Sequence, residues 1–183
     1  PHIFKFNERI KINNNSISDE SIVSIYKKLE AKAREISATF FEITTAIAFK
    51  YFEINKVDIA IIETGLGGRY DATNIITPLV SVITTISLDH CEYLGSSIKE
   101  IANEKAGIIK PYVPVILMEQ HPIATSVFLE RANKLNSEVY FSFNYSYAKI
   151  VGYTSELKMA IQIDNDYCTV TTNVVSPLCG RRQ

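Results

Sequence analysis

Polar residues that directly follow apolar, β-branched runs are the strongest candidates for chemistry in this sequence. Glu63 follows the run 57–62, and Asp89 and His90 follow the run 80–86. In open α/β sheets, ligands bind beyond the carboxyl ends of the strands, so side chains placed there can meet a ligand. A carboxylate and an imidazole at adjacent strand ends could hold a cation, although His is less typical of Mg²⁺ than oxygen ligands are. A hydrogen-bonded loop residue is the ordinary alternative for His90.

Three glycines follow Glu63 closely, as Gly65, Gly67 and Gly68. This spacing lets the backbone turn tightly and approach a ligand, with amide groups free to bind an anion. The segment is not a complete G-x-G-x-x-G motif, and the sequence contains no G-x-x-x-x-G-K-[ST] phosphate loop. A plain strand-to-loop turn is therefore as good an explanation as contact with phosphate.

Lys105 lies in the last turn of a short predicted helix. That helix begins with the capping box 97–100 and stops at Gly107. A cation at a helix C-terminus is favourable by about 0.3 to 1 kcal/mol, so the helix alone explains an isolated lysine.

Helical spacing of apolar residues predicts the elements before and after these candidates. The predicted helices cover 18–36, with Ser18 as N-cap, then 39–54 and 123–135. The second helix begins with Thr39-Phe40-Phe41-Glu42, which has the T-x-x-E form of a capping box. Capping and a functional role explain these four residues about equally well.

Strand-like runs alternate with the helices and predict an α/β fold with a doubly wound, mainly parallel sheet flanked by helices. The candidates are 57–62, 80–86, 113–118 and 139–143. The first two are typical of strands covered on both faces. Beyond Phe143 the runs become shorter, at 148–151, 157–163 and 167–174, with a turn predicted at 164–166. They predict a small antiparallel C-terminal meander.

The bulk composition limits the class of protein. A chain of 183 residues, 46% apolar and 21% charged, is in the range of one globular domain. Its net charge of −1 provides no strong field for nucleic acid or anionic lipid, and no run approaches the roughly 20 apolar residues of a membrane span. The three cysteines are odd in number and widely spaced, which argues against a disulfide framework and favours a reducing cytoplasm.

Several motifs together resemble one enzyme family. Residues 63–74, 88–95 and 104–110 strongly resemble folylpolyglutamate synthase and its dihydrofolate synthase relatives, which belong to the Mur ligase superfamily. The likeness is most specific over 39–110. It extends from Pro1-His2 through 6–10 to Gly180-Arg181-Arg182-Gln183.

The resemblance implies a central domain of Mur ligase type and an ATP-dependent, amide-forming ligase. In the family, ATP phosphorylates a carboxylate of folate or dihydropteroate, and the amino group of L-glutamate attacks the acyl phosphate. The resemblance assigns Mg²⁺ binding to Glu63, His90 and Lys105, and catalytic roles to Lys105 and His90. The family's lysine at the position of Lys105 is carbamylated, which would turn a cation into a carbamate whose oxygens suit Mg²⁺.

The resemblance also implies substrate contacts. The segments that match the family's pterin-contacting loops suggest Phe41 for stacking on a flat heterocycle and Asp71 for accepting hydrogen bonds from its amino groups. The implied substrate-binding residues are Thr39, Phe41, Glu42, Tyr70, Asp71 and Ala72. The implied nucleotide-proximal residues are Gly65, Gly67, Gly68 and Gln183. Whether folate, dihydropteroate or both are substrates stays open.

Departures from the family pattern concern the two ends. The family's upstream phosphate loop, and the Ser before Pro1-His2, are not in this sequence, and Arg182 replaces a His. Because the sequence also lacks an initiator Met, it could begin inside a longer polypeptide, although processing or cloning could also remove the Met. We expect 1–183 to be a central ATP-binding domain without the phosphate-loop segment and the C-terminal glutamate-binding domain, inactive alone and monomeric when complete.

Two alternatives stay open at this point. One is a Mur ligase of cell-wall peptide synthesis, which shares the metal chemistry. The other is a non-catalytic folate-binding or interaction module that retains the family's motifs.

Overall fold

Residues 2–155, 158–165 and 172–176 are described in a computed structural model of the chain. The chain divides into two units, 1–76 and 77–183. Each unit has its own cluster of buried apolar side chains, so the expected single domain is organised around two separate cores.

The first unit consists of a hairpin and two helices. A 3₁₀ turn, Phe6–Arg9, leads into the antiparallel pair β1, Lys11–Ile12, and β2, Asn15–Ser16. The two-residue turn between them has positive φ at both Asn13 and Asn14, a conformation that Asn tolerates better than most residues. The helices are α1, Asp19–Glu35, and α2, Phe40–Asn55, and a second 3₁₀ turn covers Ala72–Ile75.

The predicted helix starts in this unit are confirmed. The Ser18 hydroxyl accepts the backbone N–H of Ser21, and Thr39 and Glu42 form both hydrogen bonds of a capping box. The core is built from isoleucines that flank the hairpin strands and from isoleucines of both helices, namely Ile10, Ile17, Ile25 and Ile47. Apolar burial therefore joins α1 and α2 to the hairpin.

The prediction of a buried strand at 57–62 is wrong. This segment has no regular secondary structure, and its Ile61 side chain is 95% exposed. A β-branched run forms a strand only when a neighbouring strand pairs with its backbone. None of the strands among the described residues pairs with this segment.

The second unit is built on a parallel sheet. Its strands are β3, Ser81–Ile83, β4, Val115–Leu117, and β5, Val139–Phe141, in that order across the sheet. The connections contain α3, Cys91–Leu94, α4, Ile98–Lys105, a 3₁₀ turn at Ala106–Ile108, and α5, Pro122–Lys134. The mainly parallel sheet flanked by helices is thus confirmed, with strands shorter than predicted.

One face of this sheet packs on the helices. Ile83, Val115 and Leu117 are buried together with Ile101 of α4 and Phe128 of α5. Val82, which points to the opposite face, is 51% exposed. The expectation that this strand is covered on both faces is therefore wrong, because α4 and α5 share one core with the alternate residues only.

An antiparallel sheet follows and confirms the predicted meander. A 3₁₀ turn, Ser142–Asn144, leads into β6, Ser146–Tyr153, which pairs with β7, Met159–Asn165, and β7 pairs with β8, Thr172–Ser176. The turn predicted at 164–166 is misplaced, since its first two residues belong to β7 and Asp166 lies outside the described residues. The described part of the last predicted run, 167–174, begins at Thr172.

None of the described helices combines the length and the apolar character needed to cross a membrane. Cys91 is a free, exposed thiol. Cys168 and Cys179 lie outside the described residues.

Candidate functional site

The glycine-rich turn after Glu63 is held by the carboxylate of Asp71. One oxygen, Oδ2, accepts the backbone N–H groups of Gly65 at 2.8 Å and Leu66 at 2.9 Å. The other oxygen, Oδ1, accepts the N–H and the hydroxyl of Thr73. Four accepted hydrogen bonds match the lone-pair capacity of a carboxylate. Asp71 therefore ties both sides of the loop together.

This arrangement changes the interpretation of the turn. The expectation of free amides is wrong for Gly65 and Leu66, because Asp71 already occupies both N–H groups. Substrate binding by Asp71 stays a prediction, and it would require one of these hydrogen bonds to be given up. Gly67 has φ of +69°, a conformation that favours glycine, so a structural need accounts for this residue.

Gly65 is needed for a different reason. Its backbone lies so close to the Phe41 ring that a Cβ at this position would overlap the ring atoms. Phe41 is in the first turn of α2, and the capping box of that helix fixes its position. The turn and the helix start are therefore packed against each other.

Thr39 and Glu42 serve as caps in this structure. Thr39 N–H donates to Glu42 Oε2 at 2.7 Å, and Glu42 N–H donates to Thr39 Oγ1 at 3.3 Å. The backbone N–H of Thr39, followed by its hydroxyl, lowers the pKa of Glu42. Capping is thus confirmed for these two residues, while their contact with substrate stays a prediction.

A cavity of about 660 Å³ lies in the first unit beside the turn. Its wall includes the aromatic residues Phe41, Phe49 and Phe52 together with four threonines, and its charged members are Glu8, Arg9, Glu63 and Asp71. This volume is within the range of small-molecule sites, which combine apolar walls with a few polar groups. The Glu63 carboxylate accepts no hydrogen bond from any described residue, so it is available to a ligand.

Tyr70 and Ala72 flank Asp71 without lining this cavity. The Tyr70 side chain is 86% exposed, and Ala72 begins the 3₁₀ turn. Only Phe41 and Asp71 of the six expected substrate-binding residues are in the cavity wall.

His90 is the N-cap residue of α3 and has an unusual backbone conformation. Its φ of 51° and ψ of 38° are left-handed. Its N–H donates to Asp89 Oδ1 at 2.8 Å, and its Nε2 is 3.8 Å from Asp89 Oδ2. The imidazole is exposed, which leaves it accessible to a metal or substrate.

Lys105 is in the last turn of α4, as predicted. It is half-buried, and its ammonium makes no hydrogen bond or ion pair with the described residues. The helix begins with the predicted capping box of Ser97 and Glu100, in which the Ser97 hydroxyl, followed by backbone N–H groups, lowers the pKa of Glu100.

The expected metal ligands fall in different units, Glu63 in the first and His90 and Lys105 in the second. The described residues contain no cluster of three or more His, Cys, Asp or Glu side chains able to hold a metal ion. The metal-binding roles therefore stay predictions. Gln183 lies outside the described residues.

Sequence reasoning missed two residues that organise backbone. Glu8 accepts the N–H groups of Ile3, Phe4 and Lys5, which lowers its pKa. Gln120 binds the backbone beyond the end of β3. Gln120 follows a predicted strand, so the rule that selected Glu63 and His90 would also have selected it.

A parallel sheet with helical crossovers defines an α/β domain, and ligands in such domains bind beyond the carboxyl ends of the strands. The family model described as the Mur ligase middle domain matches residues 12–181. The chain belongs to this Mur ligase family.

Comparison with individual proteins shows which members of the family the chain resembles. The chain is 45% identical over 141 residues to a dihydrofolate synthase/folylpolyglutamate synthase of Bacillus subtilis, an alignment covering 73% of this chain and 33% of that protein. A mutant of L. casei folylpolyglutamate synthase superimposes with a TM-score of 0.83 and 33% identity, covering all of this chain and 46% of the other. A folylpolyglutamate synthase solved with AMPPCP and folate has a TM-score of 0.79 and 34% identity, covering 91% of this chain and 42% of that one. The chain thus spans about a third of its curated relative's length.

Proposed function

We propose that this chain is the central ATP-binding domain of a ligase that joins L-glutamate to a carboxylate of folate or dihydropteroate. The supporting observation is the 45% identity to a relative named dihydrofolate synthase/folylpolyglutamate synthase, within a matching Mur ligase middle domain. ATP converts the carboxylate to an acyl phosphate in this proposal. The amino group of glutamate then displaces phosphate and forms the amide.

The cavity beside the glycine turn is the proposed place for the flat heterocycle of the folate or pteroate. Its aromatic wall offers Phe41 for stacking, and its volume suits a small molecule. The relative solved with folate and AMPPCP supports a folate substrate and ATP as co-substrate. The main role of Asp71 in this proposal is structural, because its carboxylate holds the turn that follows Glu63.

Mg²⁺ is the proposed metal, with Glu63, His90 and a carbamylated Lys105 as its ligands. The donor groups fit: the Glu63 carboxylate has no competing hydrogen bond among the described residues, and the His90 imidazole is exposed. An unmodified Lys105 would repel a cation, whereas its carbamate supplies oxygen ligands. When bound, Mg²⁺ neutralises phosphate charge during phosphoryl transfer.

The nucleotide phosphates are proposed to lie near Gly65, Gly67, Gly68 and Gln183. At Gly65 an incoming phosphate would compete with Asp71 for the amide. The 183 residues contain no G-x-x-x-x-G-K-[ST] loop. We therefore propose that catalysis needs parts of the protein beyond this chain.

The test is an assay of the complete reading frame that encodes this chain. ADP release should require L-glutamate together with folate or dihydropteroate, and Glu63→Gln should abolish it while Glu53→Gln, an exposed change on α2, leaves it intact. Turnover with a muramyl peptide instead would overturn the folate assignment. Pteroate binding without any turnover would identify a non-catalytic folate-binding protein.

A further inference from the structure

The side-chain amide of Gln120 pairs with the backbone just beyond the end of β3. Gln120 Nε2 donates to the carbonyl of Thr84 at 2.8 Å, and Oε1 accepts the N–H of Ile86 at 3.1 Å. A longer contact of 3.4 Å joins Nε2 to the carbonyl of Ile83. The same amide therefore uses both its donor and its acceptor on one short stretch of chain.

This pattern is that of a strand residue in a parallel sheet. A residue in a parallel strand binds the C=O and the N–H that flank one residue of its neighbour. Here the flanked residue is Thr85, and the Gln120 side chain takes the place of the missing strand residue. The backbone pairing of β3 and β4 ends at the bond from Met118 N–H to Ile83 O, so the amide extends it.

Thr85 adds a further link between the same two segments. Its hydroxyl donates to the carbonyl of Glu119 at 2.9 Å. Ile86 is buried in the core of the second unit. The chain is thus anchored up to Ile86 by the hydrogen bonds of two side chains, Gln120 and Thr85, to backbone groups and by burial.

The next four residues, 87–90, are exposed. Their downstream anchor is α3, where the carbonyl of His90 accepts the N–H groups of Tyr93 and Leu94. His90 itself is in the left-handed region, which costs free energy for a non-glycine residue and persists only when its surroundings fix it. Gln120 supplies the polar anchor on the upstream side.

We propose that Gln120 is a positioning residue for His90, which it holds in place by fixing Thr84–Ile86 at the end of β3. The functional value of this placement rests on the proposed role of His90 as a Mg²⁺ ligand. Loss of an outer partner of a metal ligand weakens metal binding about 10- to 100-fold, and we expect the lower end because Gln120 acts through the backbone.

The experiment uses NMR on the complete protein that contains this chain, carrying Gln120→Ala. Gln162→Ala is the matched control, because Gln162 is also half-buried and its side-chain amide binds Asp164 in β7. In Gln120→Ala we expect amide exchange at Ile86 to rise about fivefold or more. The φ of His90, measured from its amide-to-α-proton coupling, should leave the left-handed region. Gln162→Ala should change neither.

Mn²⁺ serves as a paramagnetic probe of the metal role. Line broadening of the His90 ring resonances should need about tenfold more Mn²⁺ in Gln120→Ala than in the unaltered complete protein. If Mn²⁺ broadens nothing at His90 in the unaltered complete protein, the metal role fails, while the His90 coupling still tests the positioning. An unchanged coupling alongside faster exchange at Ile86 would overturn the positioning proposal. If Gln120→Ala does not fold, Gln120→Glu, which keeps the acceptor oxygen and the size, undergoes the same measurements.

Discussion

The Phe41 ring lies against the backbone of Gly65, so no side chain fits at Gly65 while the ring keeps its position. We expect Gly65→Ala to push the ring into the cavity, since a ring tip moves more easily than a backbone. The destabilisation should be about 1 kcal/mol by urea unfolding, the lower end for an overpacked site. Phe41→Leu should largely remove this cost in the double variant. An equal cost in both backgrounds would mean that the ring is not the obstacle.

Asp71→Ala removes the acceptor of three backbone N–H groups and one hydroxyl in the glycine turn. Hydrogen bonds to a charged group contribute more than neutral ones, so we expect a loss of about 2 kcal/mol in the free energy of unfolding. Amide exchange at Gly65 and Leu66 should accelerate at the same time. Asp58→Ala, at an exposed position of the same unit, is the control. Unchanged amide exchange at Gly65 and Leu66 would show that Asp71 does not hold the turn.

Local and distant interactions differ in how far the sequence predicted them. The caps at Ser18, Thr39 and Ser97 join residues that are three apart in the sequence, so local sequence patterns were sufficient to predict them. The run 57–62 has the composition of a strand, but strand formation depends on a pairing partner that local composition does not specify.

In the candidate site, too, the sequence predicted which residues take part but not the contacts between distant residues. Sequence motifs selected Glu63, Phe41 and Asp71, which do share one cavity wall. The Asp71 carboxylate accepts hydrogen bonds from Gly65 and Thr73 because of the shape of the loop. The spacing of residues in the sequence does not predict that shape. The Gln120 contact spans 34 residues and follows only from the β3–β4 register.

The capping carboxylates should make stability depend on acidic pH. Hydrogen bonds lower the pKa of Glu42 and of Glu100 below the ordinary value of 4.5. A lowered folded pKa means that the stabilisation is complete above 4.5 and is lost as the pH falls through the folded value. Glu42→Gln and Glu100→Gln should therefore reduce the free energy of unfolding at neutral pH, with a smaller difference in strong acid. A pH-independent difference would show that the ionised form is not what stabilises the cap.

Gly95 separates α3 from α4 and has φ of +104°, which only glycine adopts easily. A Cβ there would also lie 2.5 Å from Cβ of Glu100, the residue that completes the α4 capping box. We expect Gly95→Ala to cost about 2 kcal/mol or more in unfolding free energy. Gly152→Ala is the matched control, because a Cβ at Gly152 meets no atom within 4 Å. Equal effects of the two substitutions would contradict the strain at Gly95.

Carbamylation of Lys105 can be detected directly. The amine would add carbon dioxide and release a proton, giving an anionic carbamate. Incubation of the complete protein with ¹³C-bicarbonate and Mg²⁺ should give a carbamate carbon signal. That signal should disappear in Lys105→Arg and persist in Lys99→Arg, which alters an exposed lysine of the same helix.

In the activity assay, the same two variants distinguish the effect of the positive charge at Lys105 from the effect of its carbamylation. Arginine keeps the positive charge and cannot be carbamylated, so Lys105→Arg should lower glutamate ligation about 100-fold, as expected for loss of a group that organises a metal site. Lys99→Arg should leave ligation unchanged. Full activity of Lys105→Arg, or a carbamate signal that survives in it, would show that Lys105 acts as the plain helix-terminal cation that its position in α4 also allows.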